Sequence, residues 1–161
     1  MLLMIESGIR GGIATISHRH AKANNEYMGT EFDLAEETKF ISYLDANNLP
    51  GWAMSKKLLT SGFKWMTDNE QDFWKHLSCF LEVELECPED LHDLHKDYPL
   101  APERIIIIRN IEKLITNLNN KTNYVVHYKN LKLYESLGLK ITKIHRGINS
   151  KKVPGWKNTL I

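Results

Sequence analysis

Asp45 follows the run Thr38-Lys39-Phe40-Ile41-Ser42-Tyr43-Leu44 and precedes Ala46-Asn47-Asn48. A carboxylate just past a hydrophobic strand is able to hold a hard divalent cation, because the strand fixes its direction and the turn leaves room for water and phosphate ligands. The same position suits an aspartate that closes an Asx-turn or caps a helix. One carboxylate is not a phosphoryl-transfer centre, which needs at least two, bridging metal ions about 3.5–4 Å apart. Arg10-Gly11-Gly12 offers a second chemistry: backbone N–H groups of a glycine pair approach a phosphate closely while the arginine supplies charge.

A third set lies toward the C-terminus. Lys121, Lys129, Lys132, Lys140, Lys143 and Arg146 are interleaved with Tyr124, Tyr128, Tyr134 and Trp156. Such a mixture suits a nucleic-acid groove, through phosphate neutralisation and base stacking, although Tyr134 also fits an apolar helix stripe. Of the seven histidines, His18 with His20 and His92 with His95 have ligand-like spacing. Neither pair has the further cysteine or histidine partners of a zinc site, so structural or surface roles are expected. No G-x-S-x-G, H-E-x-x-H or Walker-type loop occurs, which leaves hydrolase and P-loop NTPase functions without a motif.

The elements that must position these residues belong to a chain of 161 residues, 42% hydrophobic and 25% charged, values of an ordinary globular domain that exclude disordered and fibrous classes. Lys and Arg number 21 against 20 Asp and Glu, yet the charge is unevenly spread. Residues 30–120 hold nine bases and seventeen acids, and residues 121–161 hold nine bases and one acid. A basic tail behind an acidic middle marks either a surface that meets nucleic acid or a solvated face. Two cysteines, Cys79 and Cys87, are too few for a disulfide framework and point to a reducing, intracellular setting. No apolar run reaches the ~18–20 residues of a membrane helix, and the opening Met1-Leu2-Leu3-Met4-Ile5 is too short for a signal peptide. An unexported protein with no membrane partner is expected.

Along the chain, residues 38–44 read as a strand, 45–48 as a polar turn and 52–58 as a short helix. Asp68 reads as the N-cap of a helix carrying Phe73, Trp74 and Leu77 inward. Residues 80–87 alternate cleanly, with Val83, Leu85 and Cys87 on one side and Glu82, Glu84 and Glu86 on the other, as in a half-buried strand with a carboxylate face. Residues 105–108 read as a fully apolar strand or the start of a buried helix. Residues 130–137 read as a helix with Leu133, Tyr134 and Leu137 on its stripe and Gly138 at its end, and residues 139–144 as a final strand. After Gly147 the pattern fades. The fold class is α+β.

Taken together, several segments resemble the polymerase region of protein-primed family B DNA polymerases, the enzymes of viruses, linear plasmids and self-synthesising DNA transposons. The resemblance is carried by Ser7-Gly8-Ile9-Arg10-Gly11-Gly12-Ile13, by Ile16-Ser17-His18-Arg19-His20-Ala21-Lys22-Ala23-Asn24-Asn25, and by Tyr43-Leu44-Asp45-Ala46-Asn47-Asn48-Leu49 with Gly51-Trp52-Ala53-Met54-Ser55, which looks like motif A. It continues through Leu91-His92-Asp93-Leu94-His95-Lys96-Asp97-Tyr98-Pro99-Leu100-Ala101-Pro102-Glu103, residues 121–134 and residues 138–146.

The resemblance implies a DNA-directed DNA polymerase, a nucleotidyltransferase of DNA replication. Its fold would be part of a family B palm with an inserted terminal-protein-region subdomain: residues 1–66 the start of the palm with motif A, 67–146 its continuation and the insertion, 147–161 a divergent tail. Asp45 then matches the catalytic, magnesium-binding aspartate of motif A, with Mg2+ the implied cofactor. Leu49 and Pro50 take nucleotide-binding positions beside the incoming deoxynucleoside triphosphate. Arg10, Gly11 and Gly12 match an element that contacts template DNA, and Lys129, Lys132, Lys140 and Lys143 face the primer–template. A terminal protein is a further implied partner.

The chain also departs from the family. Pro50 replaces the tyrosine that excludes ribonucleotides; proline has no donor, a fixed φ and a smaller ring, so this residue does not rebuild that filter. Ile9 replaces an aromatic residue. No lysine-x-x-x-asparagine-serine motif B, no aspartate-rich motif C and no exonuclease carboxylates occur in the 161 residues. A fragment inactive on its own is therefore expected, or alternatively a non-catalytic DNA-binding remnant of a mobile element or virus.

Overall fold

A computed structural model describes residues 1–11, 13–108 and 110–153. In chain order the regular elements are α1 (Leu2–Ser7), α2 (Leu49–Ser55), β1 (Leu58–Trp65), α3 (Asp68–Asp72), β2 (Cys79–Glu86), α4 (His92–His95), β3 (Glu103–Ile108), β4 (Ile111–Ile115), β5 (Lys121–His127), α5 (Tyr128–Ser136) and β6 (Lys140–Val153). Short 3-10 turns cover Glu26–Glu31, Trp74–His76 and Glu89–Leu91. The α+β class expected from the sequence is the class observed.

β2 organises the molecule. Its alternation puts Cys79, Leu81, Val83 and Leu85 on a buried face and Phe80, Glu82, Glu84 and Glu86 on a half-buried one. It pairs antiparallel with β5 on one side and β6 on the other, and β1 joins the far edge of β6, giving the order β1-β6-β2-β5. On the buried face, Tyr124 and Val126 of β5, Leu131 of α5, Leu139, Ala101, Met66 and Trp74 complete the main core. Leu81, Leu85 and Leu131 lose essentially all contact with water, each worth about 1.5–3 kcal/mol relative to exposure. The opposite face carries a smaller apolar cluster, where Met4 of α1 meets Val125 and Ile148.

Two glycines are required by geometry. Gly138, at φ +101°, lets α5 end with Leu139 N–H donating to the Tyr134 carbonyl and Gly138 N–H to the Glu135 carbonyl, both at 3.0 Å, a Schellman closure. Gly147 on β6 faces Leu81, and a Cβ there would lie 2.5 Å from Met66 Sδ and 2.8 Å from Leu81 Cδ2.

Several expectations are corrected. Residues 40–45 form no strand and are exposed; only Lys39 makes a bridge, to Asn24. Aromatic and β-branched residues favour a strand only where a neighbour supplies the ladder, and no described residue does so for this run. The helix expected at 52–58 begins at Leu49, because Asn48 Oδ1 accepts from Gly51 N–H and Pro50 presets the first turn. Thr67, not Asp68, caps α3, in a reciprocal capping box with Glu70; Phe73 points outward while Trp74 is buried. The helix after β5 starts at Tyr128, so its inner stripe is Tyr128 and Leu131 with Tyr134 partly buried, and Leu133 and Leu137 are exposed.

Residues 105–108 are a strand, but in an exposed β3–β4 hairpin rather than a core. β6 continues to Val153, through the stretch where the sequence pattern fades, and its residues from Ile148 onward pair with β1. The four-stranded sheet thus takes strands from residues 1–66, 67–146 and 147–161 alike.

Candidate nucleic-acid interface

Asp45 lies in the exposed stretch that leads into α2, and its carboxylate forms no hydrogen bond or ion pair with a described residue. It does not sit at the end of a strand, because the strand before it is not formed. Leu49 and Pro50 occupy the first turn of α2, with Leu49 exposed. Among the described residues no group of three or more His, Cys, Asp or Glu side chains converges. A lone carboxylate does not fit a two-magnesium site.

Arg10 is engaged within the molecule. Its guanidinium lies 3.9 Å from the Tyr124 ring centroid and donates to the carbonyls of Val125 and Gly8. Gly11 is exposed, with no atom near where a Cβ would stand. Gly12 lies outside the described residues, as does Trp156.

The basic residues of the C-terminal third divide into two groups. On the half-buried face of the sheet, Arg146 pairs with Glu82, His145 with Glu84 at 2.9 Å and Lys140 with Glu86 at 3.7 Å. Lys121, 3% exposed, pairs with Glu103 at 3.0 Å and also meets Asn117. Much of the charge segregation seen along the chain is therefore cancelled across strands. Lys129, Lys132 and Lys143 form no ion pair with a described residue, and Lys132 lies 5.7 Å from the Tyr128 ring centroid.

Several other titratable groups are buried or partnered within the fold. Burial pushes the Cys79 thiol up to about 12 and raises that of Cys87, which disfavours the reactive thiolates. Burial also raises the Tyr124 phenol, which donates to the Pro102 carbonyl at 3.0 Å. His95 is buried and donates to the Leu137 carbonyl at 2.9 Å; His92 meets the Cys87 carbonyl at 3.3 Å, and His18 pairs with Asp97 at 3.2 Å.

Comparison of the chain with protein families, with curated proteins and with solved structures finds no match.

One grouping was not visible in the sequence. Register places Phe80, the second residue of β2, opposite His127, the last of β5, with ring centroids 5.3 Å apart. Lys129 and Asn130 follow on α5, and α2 brings Trp52, Ala53, Lys56 and Lys57 against them. Together with Leu59 they line a cleft of about 690 Å³ without a carboxylate in its wall. Lys56 Nζ stands 4.6 Å from the Trp52 ring centroid. The signal within reach of the sequence was Trp52 followed four residues on by Lys56, which caps the end of α2. Such a site can present an aromatic plane and ammonium groups to one ligand.

Proposed function

We propose that this chain is a segment of a protein-primed family B DNA polymerase, and that the 161 residues on their own grip primer–template DNA without extending it. The parent reaction is template-directed addition of deoxynucleotides with Mg2+, on a primer that in this family is a terminal protein. The reading is supported by the ordered motif-like segments over residues 7–146 and by the position of Asp45, whose carboxylate stands accessible and unpaired directly before the helix that begins Leu49-Pro50. Within this reading the fold is part of a palm and Asp45 one of its metal ligands. The unpaired Lys129, Lys132 and Lys143 supply the phosphate contacts, with Lys140 joining them at the cost of its pair with Glu86.

The test is fluorescence anisotropy on a labelled primer–template across a salt series. Micromolar binding with a steep salt slope is expected, lost when Lys129, Lys132, Lys140 and Lys143 are all changed to Glu; absence of binding by folded protein overturns the DNA-gripping role. Primer extension with magnesium is expected to give no product, and template-dependent product would refute the claim that one carboxylate is insufficient.

A second reading, a DNA-binding module with no catalytic ancestry in use, is favoured by the isolation of Asp45 from any cluster of metal-ligand side chains among the described residues. The gene separates the two. A continuing frame that reaches a lysine-x-x-x-asparagine-serine segment and then an aspartate pair supports the polymerase, and a stop with nothing similar downstream supports the module.

A further inference from the structure

We infer that the cleft between α2 and the start of α5 is a binding site for single-stranded DNA, taking an unpaired base against Trp52 and the flanking phosphates on Lys56, Lys57 and Lys129. The cleft's volume of about 690 Å³ lies in the range of ligand sites, about 300–1,000 Å³. Trp52 is 60% exposed although it is the largest apolar side chain of α2; Lys56 lies over one face of its indole, and the rest is open to a partner. Phe80 and His127 form the opposite aromatic wall.

The three lysines and the absence of a carboxylate in the lining give the site a positive field that no internal pair cancels, since Lys57 and Lys129 form no ion pair with a described residue. On the sheet, by contrast, Lys140, His145 and Arg146 are paired with glutamates of β2. Stacking on an aromatic plane together with phosphate neutralisation is the chemistry of single-strand recognition, because every base has a π-face and only an unpaired strand can offer it. A duplex keeps its bases stacked inward and would use the lysines alone. The choice of DNA as the polymer rests on the polymerase reading above; the cleft itself does not.

The experiment measures binding of a fluorescein-labelled oligothymidylate of about 12 nucleotides, within the span of a single-strand groove, by anisotropy across a salt series, with a primer–template duplex in parallel. Trp52→Ala is expected to weaken single-strand binding about ten-fold by loss of stacking, and Trp52→Phe, which keeps a π-face, to restore most of it. Lys57→Glu with Lys129→Glu is expected to reduce the salt slope by about 1.4, at roughly 0.7 per phosphate contact on a single strand. Lys96→Glu with Lys113→Glu, away from the cleft, is expected to change neither, and circular dichroism verifies that each variant is folded.

The proposal is overturned if folded protein does not bind the oligonucleotide at low salt, if Trp52→Ala leaves affinity unchanged, or if the distant control lowers it equally. Duplex binding without single-strand binding sinks the cleft and leaves the DNA-gripping function standing. Cleft-dependent single-strand binding without duplex binding supports the cleft and sinks the primer–template role.

Discussion

Arg10 lies over the ring of Tyr124, 3.9 Å from its centroid, and donates to the carbonyl of the next residue, Val125. The pair ties the segment after α1 to β5, an edge strand of the sheet. Arg10→Ala removes a charged hydrogen bond and a cation–π contact, with an expected cost of about 2–3 kcal/mol in urea unfolding. Arg10→Lys is expected to recover less than half, since an ammonium cannot both stack and donate along the guanidinium plane. A fully stable lysine variant would show that charge alone makes the tie.

Glu103 titrates below the ordinary value of 4.5: burial pulls it upward, but hydrogen bonds from Asn117 and Lys121, with the charges of Lys121 and Arg10, outweigh burial. A carboxyl lowered by folding stabilises the native state above its unfolded value, and that contribution disappears as pH falls through the lower folded value. The thermal midpoint is therefore expected to hold from about pH 7 to about pH 5 and to drop below about 4.5. Glu103→Gln leaves the buried Lys121 ammonium with Asn117 alone, costing about 2–3 kcal/mol at neutral pH and flattening the acid limb. An unchanged acid limb in that variant would remove Glu103 from the explanation.

Across the sheet Glu82 and Glu86 pair with Arg146 and Lys140, and Glu84 meets His145. Changing all three glutamates to glutamine leaves the shape of the strand and frees its basic partners. Duplex affinity at low salt is expected to rise several-fold and the salt slope to steepen, by about 0.9 for each lysine or arginine that gains a phosphate. Stability is expected to fall by about 1 kcal/mol per pair, because each pair keeps at least one side chain in contact with water. No change in affinity would mean that this face does not meet DNA.

What the sequence disclosed follows the physics of each element. β2 was legible because one of its faces is core and the other carries glutamates, so alternation survives in the residue types. The end of α5 was legible because a left-handed position selects glycine at 138. β6 beyond Gly147 was not, because Gly147, Ile148 and Asn149 are consecutively buried where the strand passes between β2 and β1, and Asn149 is satisfied by Glu70 at 3.0 Å. Residues 38–44 have the composition of a strand, but beyond the Lys39–Asn24 bridge no described residue pairs with them. The cleft was hidden because Trp52, Phe80 and Lys129 meet only through the β2–β5 register and the docking of α2.

Gly147→Ala tests the closest approach in the core. Its new methyl would meet Met66 Sδ at 2.5 Å and Leu81 Cδ2 at 2.8 Å, and overpacking of this kind costs about 1–3 kcal/mol. Adding Met66→Ala, which vacates the nearer contact, is expected to make the double variant more stable than the two single losses combined, read from urea midpoints. Strict additivity would place the strain elsewhere.

Among the described residues β6 is the one strand that pairs with β1, whose last residue, Trp65, waits for Ile148. On the ribosome, at about 5–20 residues per second, that wait is on the order of ten seconds. During it β1 is a bare edge beside the exposed α2, the kind of surface that holdase chaperones cover and that pairs with other nascent chains. β6, the latest made of the described strands, thus acts as the latch that closes β1 onto β2.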